Sequence, residues 1–145
     1  MGIIGTLRAT REQQKGEDRR ARRPEVRELV AAFWAATDSM WQARAEILVA
    51  LDRLAYARKE EHRQHYSEQQ LRALRRHDDG AESAREHLGL IRMTQPAALA
   101  SAAQDLFDAC FAKWSPDNRS DVEASRDAAL GRFEEAAREL LLGDD

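Results

Sequence analysis

An unbroken apolar stripe fixes what the first half of this chain can fold into. Val26, Leu29, Phe33, Ala36, Met40, Ala43, Ile47, Ala50 and Leu54 recur at alternating spacings of three and four. Every a and d position across four heptads is therefore apolar, which is the rhythm of a helix and not of a strand. Val30, Trp34, Trp41, Leu48 and Leu51 widen the stripe to a band of roughly 160°, broader than the seam of a two-stranded coiled coil. A helix with so wide an apolar face touches two or more neighbours. It is the spine of a bundle.

The rest of the chain agrees with that reading. Hydrophobic residues make up 43% and charged residues 34% of 145 residues, with only seven Gly and three Pro. That suits one all-helical domain, large enough to bury a core without disulfides, and the single cysteine, Cys110, permits none within the chain. Strand signals are missing, because no segment sustains period-two alternation and no hairpin dipeptide separates β-branched runs.

Local signals divide the chain into four helices. Pro24 suits a first turn, and no Gly or Pro follows until Gly80, so the first helix is predicted over about 24–62. At ~1.5 Å per residue it would be nearly 60 Å long and protrude beyond shorter partners. Ser67 with Gln70 forms a capping-box pattern that predicts the start of a second helix carrying Leu71, Leu74, Ala81, Ala84, Leu88 and Ile91. The apolar face lapses over Arg75–Gly80, which predicts a kink or short loop restarted by Asp79. Thr94-Gln95-Pro96 opens a third helix with Leu99, Ala102, Ala103, Leu106, Phe107, Cys110 and Trp114. Ser115-Pro116-Asp117-Asn118 breaks it. Ser120 with Glu123 is a second capping box, opening a fourth helix that carries Val122, Ala129, Phe133, Ala136, Ala137, Leu140 and Leu141 and ends at Gly143. Short connections make successive helices antiparallel neighbours in a bundle of about four helices, spanning 24–143.

Residues 1–23 read as a basic arm. Residues 1–76 hold 16 Lys+Arg against 11 Asp+Glu, while 77–145 hold 7 against 15. Much of the positive excess lies in residues 8–23, above all Arg19, Arg20, Arg22 and Arg23. Such a stretch suits phosphates or anionic headgroups, or a solvated helical face. Ile3, Ile4 and Leu7 are far short of the ~20 residues that cross a bilayer. Met1-Gly2 with Thr6 fits the myristoylation pattern only superficially. These features, with one cysteine and no secretory signal, point to the cytoplasm, with peripheral membrane attachment through the arm as the variant.

Chemistry-bearing patterns are sparse. His62, His65 and Glu61 lie within one helical turn, but at a charged junction that is a poor place for a closed coordination shell. A di-iron bundle needs two Glu-x-x-His motifs, and no His here has Glu three residues before it. Cys110 falls on an apolar face beside Asp105 and Asp108, which reads as packing with no basic group to stabilise a thiolate. Neither a nucleophile elbow nor a phosphate or dinucleotide loop is present. No metal, cofactor or small-molecule substrate is expected, and no enzyme.

The order Ile3-Ile4-Gly5-Thr6-Leu7, Arg19-Arg20-Ala21-Arg22-Arg23, then Val26 through Phe33-Trp34-Ala35-Ala36 resembles a loose group of small actinobacterial helical proteins. Leu88-Gly89-Leu90 with Pro96 and Ala102-Ala103, and Phe133-Glu134-Glu135-Ala136-Ala137-Arg138, are similar too. The resemblance implies an N-terminal membrane-proximal basic segment followed by an amphipathic helix. It carries no catalytic residue, and here only the stub Ile3–Leu7 stands where the membrane segment would be.

Two functions follow. The leading one is contact with another protein or a second copy of the chain, with Trp34 and Trp41 on the spine as candidate anchors. The alternative is a peripheral module whose arm, through Arg19, Arg20, Arg22 and Arg23, binds a membrane surface or nucleic acid. The acidic second half and the lack of a basic recognition helix weigh against nucleic acid.

Overall fold

In the computed structural model the described residues are 2–113, 115 and 117–143, with side chains described from Pro24 onward. Four helices follow in order: α1 Gly2–Tyr56, α2 Glu60–Thr94, α3 Ala97–Phe111 and α4 Arg119–Leu142. The fold is the expected all-α bundle, with no strand among the described residues.

The spine stripe is buried over its middle, while Val26, Leu29, Ile47 and Leu54 at its two ends are half buried. Phe33, Ala36, Met40, Ala43 and Ala50 are all in the core. Its breadth is used, because α1 meets α2, α3 and α4, whereas α2 and α4 do not meet. Leu88 and Ile91 of α2, Leu99 and Leu106 of α3, and Phe133 and Ala137 of α4 complete one cluster around Phe33 and Met40. Phe33 and Phe133 meet edge to face with ring centroids 5.3 Å apart, at 62°.

The helix boundaries correct several local expectations. The first helix ends at Tyr56, not near 62, and Pro24 lies inside it instead of opening it. The turn occupies only Ala57-Arg58-Lys59, which contain neither Gly nor Pro. What marks it is charge: Arg53 sits in the last turn of α1, and Glu60 and Glu61 sit in the first turn of α2. Each favours the end of the helix dipole that it faces. Ser67 is therefore interior to α2, and its capping box is unused.

Gly80 does not break α2, and Asp79 caps nothing. The helix continues through it, and the missing side chain leaves room for α1 to cross at close range. A methyl group on Gly80 would lie 3.0 Å from Met40 Cγ, 3.2 Å from the Ala36 carbonyl oxygen and 3.3 Å from the Met40 amide nitrogen. Small residues on both helices, Ala36 and Ala43 against Gly80, Ala81 and Ala84, line this part of the seam.

The later boundaries shift less. Pro96 is the N-cap of α3. Asn118, not Ser120, is the N-cap of α4, and its side chain ties the preceding loop: Oδ1 accepts from the Ser115 amide at 2.6 Å and Nδ2 donates to the Lys113 carbonyl at 3.1 Å. Gly143 ends α4, in the right-handed region, donating its amide to Glu139 at 2.7 Å.

Within residues 24–143 the bundle has two levels. Residues 24–43 of α1 and the second half of α2 carry the α3–α4 hairpin, while the ends of α1 and α2 around the 57–59 turn run on as a hairpin of their own. That hairpin is antiparallel, since Glu46 pairs with Arg76 and the Arg53 guanidinium lies 5.8 Å from the Tyr66 ring.

Candidate interaction groove

The seam between α1 and α4 closes at one end and opens at the other. At the closed end Arg126 of α4 reaches across to α1. Its Nη2 donates to Asp38 Oδ1 at 3.3 Å, and its guanidinium covers the Trp41 ring at 5.3 Å. Arg126 also pairs with its neighbour Asp127 at 3.5 Å. Its Nε is buried without a hydrogen-bond partner. With only 11% of its side chain exposed, Arg126 brings a largely desolvated cation to the indole.

Cys110 lies beside this clasp. It is fully buried, and its thiol donates weakly to the Thr37 carbonyl at 3.8 Å. The Arg44 Nη1 donates to the Cys110 carbonyl at 2.8 Å, holding the C-terminal end of α3 against α1. Burial of the thiol outweighs Arg126 and Arg44, which favour its ionisation. The pKa is pushed from the ordinary 9.0 up to about 11. The same desolvation lowers the pKa of Arg44. The expectation that Cys110 packs in the core holds, but the expected absence of basic neighbours does not. Asp105 and Asp108 are neighbours only along the chain and face solvent.

The open end is an apolar groove of about 500 Å³. Val30 and Trp34 of α1 and Phe133, Ala137 and Leu141 of α4 line it, and Arg27, Glu134 and Arg138 supply charge around them. The small side chains Ala31 and Ala137 are also among its lining residues. Trp34 remains 40% exposed although it follows directly on the fully buried Phe33. An apolar centre within a charged rim is the anatomy of a protein interface.

The two spine tryptophans thus part company: Trp34 lines the groove, whereas Trp41 lies under Arg126. Arg19, Arg20, Arg22 and Arg23 fall outside the residues whose side chains are described, as does Trp114. Asp38 and Arg126 are what sequence reasoning missed. A signal was there, since Arg126 lies four residues after Val122 and seven before Phe133, on the inward face of α4.

His62 and His65 are both exposed near the α1–α2 turn, and no group of three or more His, Cys, Asp or Glu among the described residues could hold a metal. Within the same residues no helix is long and apolar enough to cross a membrane. Comparison with protein-family models, with curated proteins and with solved structures returned no match for this chain.

Proposed function

We propose that this protein works by binding another protein and not by catalysis, with the α1–α4 groove as the contact and an amphipathic helix of the partner as its occupant. The half-exposed Trp34 over an apolar floor carries the reading. A tryptophan in a concave apolar site gives a large desolvation gain per residue, and Arg27, Glu134 and Arg138 would fix the orientation of the incoming helix. A cytoplasmic setting is part of the same proposal, because a chain with one cysteine needs no oxidising compartment to fold.

The test compares tagged wild type, Trp34→Asp and the exposed-site control Ala128→Asp, expressed in the native host. A partner retained by wild type and by Ala128→Asp but lost with Trp34→Asp supports the groove. Equal retention by all three, or by none, refutes it.

The concentration of Arg in residues 8–23 supports the alternative of a module docked on an anionic surface. Deleting residues 1–23 should then abolish sedimentation with acidic vesicles, an association that weakens steeply with salt.

A further inference from the structure

The face of α1 and α2 that α3 and α4 cover does not stop where the cover stops. Along α1, Phe33 and Met40 are fully buried, and the next heptad positions are Ile47 and Leu54, which are only half buried. Arg44 marks the end of α3, because it binds the Cys110 carbonyl one residue before the helix finishes. One heptad beyond Arg44 stands Leu51, 44% exposed. Along α2 the same series runs backwards: Leu88 and Ala81 are buried, and Leu74, one heptad earlier, is 37% exposed. Leu71, a turn farther toward the tip, is 55% exposed. The edge that carries Glu46–Arg76 and Arg53–Tyr66 is by contrast closed by polar pairs.

We propose that this face is covered by the same face of a second copy of the chain. The two α1–α2 hairpin ends would pack antiparallel about a two-fold axis near Ala50 and Gln70 into an intermolecular four-helix bundle. The proposal is independent of the groove reading.

Three considerations select a second copy as occupant. The covered half of α1–α2 is matched by a two-helix layer, α3–α4, so the uncovered half needs another two-helix layer. A second hairpin end supplies one of identical length and spacing, by isologous pairing. The charges also fit. The antiparallel arrangement carries Arg58 and Lys59 at one tip toward Asp78 at the base of the other hairpin, where Asp78 is almost fully exposed. Lastly, the area is suitable. About 25 Å of hairpin two helices wide gives on the order of 500 Å² per copy, hence on the order of 1,000 Å² for the pair. That lies at the lower limit for a specific interface and corresponds to a weak, concentration-dependent dimer.

Sedimentation velocity of the full chain from low to high micromolar tests this. The wild type should pass from the mass of one chain to that of two. Leu51→Glu and Leu71→Glu alter exposed positions, so each should keep the wild-type circular dichroism. Both should weaken association at least tenfold. Lys59→Asp should weaken it at low salt, and adding Asp78→Lys to Lys59→Asp should restore it. Trp34→Asp should dimerise like wild type, which separates this interface from the groove. A wild type that stays monomeric throughout overturns the proposal. So does a dimer that tolerates Leu51→Glu and Leu71→Glu, one that Trp34→Asp dissociates, or a Lys59→Asp loss that Asp78→Lys does not repair.

Discussion

Replacing Gly80 by alanine sets two known effects against each other at one site. In a helix interior, Gly→Ala stabilises by about 1 kcal/mol, because glycine has more backbone freedom to lose on folding. Gly131 and Gly89 show that effect alone, since a methyl group at either would meet nothing within 4 Å. At Gly80 the methyl would lie 3.0 Å from Met40 Cγ, which can rotate away. It would also lie 3.2 and 3.3 Å from backbone atoms of Ala36 and Met40, which cannot. Relief requires α1 and α2 to part by a few tenths of an ångström where they cross at Gly80. Overpacking of this kind costs about 1–3 kcal/mol. Gly80→Ala should therefore be destabilising by up to about 2 kcal/mol, while Gly131→Ala stabilises by up to about 1 kcal/mol. Urea unfolding followed by far-UV circular dichroism, with the slopes unchanged, measures both. If Gly80→Ala stabilised as much as Gly131→Ala, the close crossing at Ala36–Met40 would be wrong.

Further outcomes follow from the clasp and the thiol. Because the Cys110 thiol ionises near 11 in the folded chain and near 9.0 in the unfolded one, the unfolded state loses its proton first as pH rises. Stability should fall between those values by about 2–3 kcal/mol, and Cys110→Ala should lack that component of the alkaline slope. Native Cys110 should react with a thiol reagent only as fast as the protein opens, so labelling should accelerate with urea. Removing Arg126 takes the guanidinium from the Trp41 face and from Asp38, which keeps its hydrogen bond from Gln42 at 2.8 Å, so Arg126→Ala should cost about 1–3 kcal/mol by thermal or urea unfolding. Glu123→Ala, which breaks an exposed pair with Arg119 one turn away, should cost less than about 0.5 kcal/mol.

Periodic signals in this sequence were legible, and punctual ones only in part: Pro96 and Gly143 marked helix ends, whereas the capping motifs did not mark helix starts. The stripe from Val26 to Leu54 predicted a long helix with several neighbours because burial acts on every turn, so many residues vote together. Ser67, Asp79 and Ser120 were misleading for the opposite reason. A capping motif works only where the preceding residues leave the helix, and nothing local decides that. At Ser67 the chain had already turned ten residues earlier, at a site marked only by Arg53 and Glu60-Glu61. Gly80 looked like a break because helix propensity is a local quantity, whereas its role is to admit α1. Trp34 and Trp41 shared one face of the stripe and looked equivalent. What separates them is Arg126, far along the chain, and only the fold brings it over one ring and not the other.

The proposed role of Trp34 as a contact residue in an open groove is tested most directly by a photo-cross-linking amino acid at that position in the native host. Irradiation should join the full chain to a discrete protein partner, with cross-linked residues on one face of a helix, and the same probe at Ala128 should give no such product. An equal yield at Ala128, or no protein adduct at position 34, would contradict the claim.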